Sequence, residues 1–266
     1  FFINCKILIL TLTDLNSFHL KRSIYPVKYI YVFHSFVSTH MMYRFGAFNY
    51  YDSILCGGEH HVKEIIANEN KYNLRPKQKI KAGYYRIERI HKAYKQSAGN
   101  KQIDNSNKTI LIAPSWGDNN LLKTCGKILI NKLLNSGYGV IVRPHPEMIK
   151  RNSQLINDLN HDFSANVSYY LENSVASDES LINADYLITD CSGIMFEYAF
   201  GTERPVIFFD VPLKVKNNRF KELNIEPLEL SLRDKIGILI QVSEIDKMDD
   251  IIINLDSEME KFKNKI

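Results

Sequence analysis

Short apolar runs separated by longer amphipathic stretches restrict the fold of this 266-residue chain more than any other feature. Residues 6–12 (KILILTL), 28–33 (KYIYVF), 53–56 (SILC), 109–113 (TILIA), 139–142 (GVIV), 186–189 (YLIT) and 205–210 (PVIFFD) each read as a strand. Runs this short suit buried strands better than helices. Between them lie segments with apolar residues at helical spacing: 59–68, 121–135, 147–159, 177–183 with Ser177 as N-cap, and 194–200 ended by Gly201. Repeated alternation of this kind builds βα units and a parallel sheet covered by helices.

The polar, lysine-rich stretch from residue 84 to about 108 contains SAGN (97–100) and DNSN (104–107) and reads as a linker. The expected organisation is therefore α/β, with two Rossmann-like domains over 1–95 and 106–266. The chain begins with Phe1, and the run from Ile7 reads as a buried strand already under way. The first domain is accordingly expected to be truncated at its N-terminus.

Composition narrows the function. With 45% hydrophobic and 24% charged residues, the chain is an ordinary globular protein, not a disordered, collagenous or coiled-coil one. Cys5, Cys56, Cys125 and Cys191 form no C-x-x-C pair. That argues against a disulfide scaffold or a cysteine zinc site and fits a reduced, cytoplasmic compartment. The net charge of +4 is spread along the chain, so nucleic acid is not an expected partner. Peripheral contact with an anionic membrane remains compatible with it. The most apolar stretch, 1–12, is interrupted by Asn4 and Lys6 and is too short to span roughly 30 Å of hydrocarbon.

Ligands of parallel α/β sheets bind beyond the carboxyl ends of the strands, and four such places are chemically rich. His34 follows KYIYVF directly. There an imidazole suits a general base near neutral pH, and a surface or capping histidine is the plainer alternative. Ser115 follows TILIA within APSWG, where backbone N–H groups before a helix could meet an anion, or form an ordinary loop. Arg143 and His145 sit in RPHP, whose prolines present the imidazole rigidly beside a phosphate-seeking guanidinium. Asp190, Ser192 and Gly193 end YLIT and open a helix. Ser192 could cap that helix or donate to a phosphate held by its N-terminus, and Glu197 could accept from a ribose hydroxyl. His60 and His61 are adjacent on a helix, point in different directions and make a poor metal site. No metal and no tightly bound cofactor is expected. G-x-S-x-G, Walker A, H-E-x-x-H and G-x-G-x-x-G are all absent.

In this order FHS (33–35), APSWG (113–117), RPHP (143–146) and ITDCSGIMFEYAFGTERPVIFFD (188–210) resemble the CDP-glycerol glycerophosphotransferase family, of teichoic-acid polymerase and primase type. FHS stands where the family has W-H-G. The resemblance covers about 11–210 and implies a GT-B-like architecture of two Rossmann-like domains. It implies transfer of a glycerol-phosphate or related alditol-phosphate unit from a CDP-linked donor, with release of CMP. The acceptor would be a polymer or lipid-linked hydroxyl in teichoic-acid-like or capsular polymer synthesis, at the inner face of a bacterial membrane. By the same resemblance His34 is the general base. His145 holds the donor phosphates and helps the cytidylate leave, and by their own chemistry Arg143 and Ser115 are candidates for the phosphate side. Ser192, Gly193 and Glu197 bind the nucleotide, and Asp190 orders its loop. Two enzyme alternatives share much of this pattern: a GT-B glycosyltransferase using a nucleotide sugar, and a sugar-nucleotide 2-epimerase. A nucleotide-binding scaffold is the non-enzymatic alternative. Release of CMP rather than a nucleoside diphosphate separates a phosphotransferase from a glycosyltransferase.

Overall fold

Parallel strands carry both halves of the chain, in a computed structural model that describes residues 2–98, 108–174 and 176–266. Two compact units result: Phe1–Tyr85 with Val215–Ser231, and Arg86–Lys214 with Leu232–Ile266. This division differs from one at 1–95 and 106–266. Residues from Arg86 pack with the second unit, and a late segment returns to the first. Of the expected linker, 99–107 lies outside the described residues, and the part before it is helical.

In the first unit, β1 (Ile7–Leu10), β2 (Lys28–Val32), β3 (Ser53–Cys56) and β4 (Gln78–Lys81) form a parallel sheet in that order. Helices α1 (Thr39–Met42) and α2 (Glu59–Lys71) follow β2 and β3. The β-formers of KYIYV place Tyr29 and Tyr31 in the core, where Tyr31 meets Phe33, Phe48 and Tyr51 edge-on. β1 is not the buried strand its apolar run suggested. It is an edge strand, and strand alternation leaves Ile7 and Ile9 54% and 58% exposed. β4 escapes sequence reading because QKIK holds one apolar residue.

The second unit opens with α3 (Tyr85–Ala98). Its sheet contains β5 (Thr109–Ile112), β6 (Gly139–Val142), β7 (Tyr169–Leu171), β8 (Tyr186–Thr189), β9 (Val206–Phe209) and β10 (Gly237–Ile240). The order is β10-β9-β8-β5-β6-β7, all parallel. The order reverses between β5 and β8, as in a doubly wound Rossmann sheet. Ile110, Ile112, Val140, Val142 and Ile188 pack with Leu129 into the core. A π-helical turn at Leu122–Gly126 leads into α4 (Lys127–Asn135). The single helix expected over 147–159 is two, α5 (Pro146–Arg151) and α6 (Ser153–Phe163), broken at Asn152 (φ −132°, ψ 39°). After α7 (Glu179–Asn183), the last helix bordering the site is α8 (Ile194–Thr202).

Gly201 does not end α8. The left-handed residue at its C-terminus is Glu203 (φ 57°), and Gly201 lies within the last turn. The glycine is there for space: a Cβ would stand 2.5 Å from Ile90 Cγ2 of α3, and Ile90 is fully buried. Gly201→Ala should therefore destabilise by about 1–3 kcal/mol through overpacking, although helix propensity alone favours alanine by about 1 kcal/mol. Chemical denaturation gives the sign, and in an Ile90→Ala background the same Gly201 substitution should cost little, because the clashing methyl is gone.

Candidate active site

Three of the expected loops converge at the reversal point of the second sheet. Asp190 leaves β8 nearly buried. Its Oδ1 accepts from the Ser115 amide at 2.7 Å and its Oδ2 from the Leu121 amide at 3.1 Å. Asp190 thus ties the end of β8 to the loop after β5. Burial raises its carboxyl above the usual range, against those two donors. Ser115 is itself buried, so its amide is committed to Asp190 rather than turned to an anion. Beside it, the Trp116 ring lies 6.0 Å from the His145 ring and carries the Lys214 ammonium at 3.6 Å.

RPHP folds as local chemistry dictates. Pro146 opens α5 at the position where its missing N–H costs nothing, and His145 is the N-cap. The His145 Nδ1 accepts from the Glu147 amide at 3.1 Å. The neutral ring therefore carries its proton on Nε2, an assignment from the hydrogen bond. Arg143 departs from the expected phosphate-facing fork. It is buried, donates to Ser180 Oγ and the Ser177 carbonyl at 3.0 Å each, and lies 3.7 Å from Glu172. Burial lowers its pKa, with Glu172 opposing. Its geometry is that of a brace for the segment between β7 and α7. Ser177 also serves that segment: its hydroxyl accepts from the Glu179 amide at 3.0 Å.

Ser192 does not cap α8 through its side chain. The N-cap is Gly193, in helical conformation, and no side-chain cap bond is made. Ser192 and Gly193 are partly exposed at the N-terminus of a nine-residue helix, whose positive dipole end favours an anion. Glu197, one turn on, is 8% exposed, and its Oε2 accepts from Arg86 Nε at 2.8 Å. Arg86 also pairs with Asp178 at 3.1 Å, and Arg89 donates to the other Asp178 oxygen. Sequence reading missed this cluster of Arg86, Arg89 and Asp178. Its one local signal is that Arg86, Arg89 and Ile90 share a helix face.

The first unit carries His34, exposed just beyond β2, on a loop pinned at many points. Phe33 stacks on His61 at 3.9 Å. His61 is fully buried. Its Nδ1 accepts from the Gly57 amide and its Nε2 donates to the Val37 carbonyl, both at 3.0 Å. Burial pushes its pKa down to about 3, so it is a neutral core residue that shapes the His34 loop. Ser38 donates its amide to Glu229 at 2.8 Å, and Thr39 donates its amide and hydroxyl to Glu64. Tyr84 donates to the His34 carbonyl at 3.0 Å. Partial burial and Lys216 lower the His34 pKa below its ordinary 6.5, against a backbone bond at Thr11. At neutral pH the imidazole is unprotonated, the form a base requires.

His40, next on this segment, is buried with acceptors at both nitrogens: the Ile225 carbonyl at 3.0 Å from Nε2 and Glu64 at 3.4 Å from Nδ1. Burial opposes its charge, but Glu64 outweighs burial and raises the pKa above 6.5. Glu64 is held below 4.5 because His40 and Thr39 outweigh its burial. Glu229 faces the same cluster, and burial raises its pKa. The His40 contribution to stability is thus complete below pH 6.5 and lost as pH rises through the folded value. That of Glu64 is complete above pH 4.5 and lost as pH falls through its folded value. Removing one partner of a buried pair costs about 3–5 kcal/mol. The stability gap between wild type and His40→Gln should reach that size between pH 4.5 and 6.5 and shrink above. Urea unfolding across pH measures it. The depressed imidazoles of His34 and His61 owe nothing to His40 and cancel in the difference, and that of His60 is lowered mainly by burial and only last by His40.

Among the described residues no group of three His, Cys, Asp or Glu side chains could hold a metal, and no helix is long and apolar enough to cross a membrane.

Two parallel-sheet units of this kind, the second doubly wound, define a GT-B-like α/β protein. Residues 42–224 match the family described as CDP-glycerol:poly(glycerophosphate) glycerophosphotransferase, and the chain belongs to that family. The match includes Ser115 through Glu197 and begins after His34. No curated protein matches by sequence. Among solved structures, a histidine-to-alanine variant of the wall teichoic acid polymerase TagF superposes with a TM-score of 0.59 at 15% identity, covering 98% of this chain and 66% of that one. Another TagF structure gives 0.54 at 18% identity, covering 90% and 62%. A Listeria monocytogenes protein assigned as a UDP-N-acetylglucosamine 2-epimerase gives 0.52 at 12% identity, covering 90% and 62%. The chain spans slightly less than two thirds of the TagF chains. At these identities the likeness concerns the fold.

Proposed function

We propose that the chain transfers glycerol phosphate, or a related alditol phosphate, from a CDP-linked donor to a hydroxyl of a teichoic-acid-type polymer. The acceptor hydroxyl oxygen bonds to the β-phosphorus, the pyrophosphate P–O bond breaks, and CMP leaves. His34 takes the hydroxyl proton. His145 donates from Nε2 to the donor phosphates, and the N-terminus of α8 at Ser192 and Gly193 receives their charge. Glu197 accepts from the ribose. Asp190 and Arg143 hold the loops that carry these groups. Such a displacement needs positioning and charge stabilisation more than covalent catalysis. The acceptor is polymeric or lipid-linked, which would bring the protein to the inner face of a membrane.

The observation that carries this reading is the meeting of three family-matched loops at the reversal point of the second sheet, through the Asp190–Ser115 bond and the Trp116–His145 contact. A thermal-shift panel tests it, with CDP, CDP-glycerol, CMP, UDP, UDP-N-acetylglucosamine and ADP. A rise confined to cytidine ligands is expected, because only a ligand of the native state stabilises it. A rise with uridine ligands would replace the reading by a glycosyltransferase or epimerase. No response from a well-folded sample would remove the donor site from these loops.

A further inference from the structure

Helices α3 and α8 touch at three places in the same order along both. Arg86 Nε donates to Glu197 at 2.8 Å, Ile90 fills the space over Gly201, and Lys95 Nζ meets Glu203 at 2.7 Å. Arg86 lies four residues before Ile90, and Glu197 four residues before Gly201. Each is therefore about 6 Å along its helix from the contact that Gly201 allows. The close approach at Gly201 thus sets the reach of Arg86 to Glu197. Arg86 does not serve Glu197 alone. It also pairs with Asp178 at 3.1 Å, and the adjacent Ser177 carbonyl accepts from Arg143. One planar guanidinium links α8 to the braced segment after β7.

Two carboxylates, Asp178 and Glu197, at the strand ends of a site for a nucleoside diphosphate would repel it. A mostly buried glutamate also has three side-chain torsions to fix before it can meet a ribose. Arg86 answers both needs: together with Arg89 on Asp178 it offsets the two charges, and alone it orients Glu197 through a charge-assisted bond. We infer that Arg86 is a positioning residue for sugar recognition: held between Asp178 and Glu197, it sets the Glu197 carboxylate for the 2′- and 3′-hydroxyls of the donor ribose. This rests on the donor-site reading above.

Calorimetric titration of the 266-residue chain with CDP and with 2′,3′-dideoxy-CDP tests it. Wild type is expected to favour CDP by about 10-fold or more, the range of hydrogen bonds to a charged group. Glu197→Gln should reduce that preference. Arg86→Met should weaken both ligands, because the two carboxylates then face the diphosphate with one cation fewer, and should weaken CDP more, so that the preference falls to about 2-fold, which an unoriented carboxylate still supplies. Arg86→Lys keeps the charge without the planar fork and should fall between. This variant decides the matter if Arg86→Met does not fold. Arg89→Met loses only the Asp178 contact and should keep the full preference. An equal loss for both ligands in Arg86→Met would mark a merely structural role and overturn the inference. So would an unchanged preference in Arg86→Met beside a lost one in Glu197→Gln, or a lost preference in Arg89→Met. If wild type does not discriminate, or Glu197→Gln leaves discrimination intact, the ribose role of Glu197 fails and the inference falls with it.

Discussion

His145→Ala and His145→Asn should both lose turnover by about 10²–10³-fold, the usual cost of removing one preorganised donor to developing charge. They should differ in stability. The His145 Nδ1 caps α5 by accepting from the Glu147 amide, and alanine removes that acceptor at a cost of about 0.5–2 kcal/mol. Asparagine is a good N-cap and keeps it. A well-folded His145→Asn with no release of CMP from CDP-glycerol would assign the lost activity to the imidazole. Near-normal turnover in His145→Asn would leave His145 as a helix cap and remove it from the proposed chemistry.

His34→Ala should lower turnover by at least about 10²-fold, the low end for a general base. Its side chain is exposed, so thermal stability should change little. The sharper test is the pH profile. A base works unprotonated, and the His34 pKa lies below 6.5, so activity should persist below pH 6.5 and fall on an acid limb with its midpoint there. Lys216 contributes to that depression, and Lys216→Ala should move the limb to higher pH. A limb that does not move with Lys216, in a chain where His34→Ala remains active, would take the proton-accepting role away from His34.

His145 and His34 differ in how much of their setting is local in the chain. His145 could be read in place because its geometry is local. A strand ends, proline fixes the entry to a helix, and the residue before it becomes the cap. The same holds for β3, β6 and β8, whose bounds match their apolar runs. His34 could be placed after its strand, but what fixes its loop could not. His61 meets Val37 across 24 residues and Ser38 meets Glu229 across 191. α3 reads as linker from the chain because its polar residues dominate, and among its described residues only Ile90 is fully buried. Its polar face is the one that meets Glu197 and Asp178.

Arg143 shows where local reasoning stops. Its place after β6 could be read from the chain, yet its direction depends on Glu172, Ser177 and Ser180, supplied by a segment that pairs elsewhere. The α/β class, most strands and the loops at their carboxyl ends can be read along the chain, because torsional preference and apolar patterning act over a few residues. The strand order, the return of 215–231 to the first unit, and the ion pairs of Arg86 and Arg143 come from long-range packing. Those depend on which distant surfaces bury one another, and a buried charge takes whatever partner that packing brings within reach.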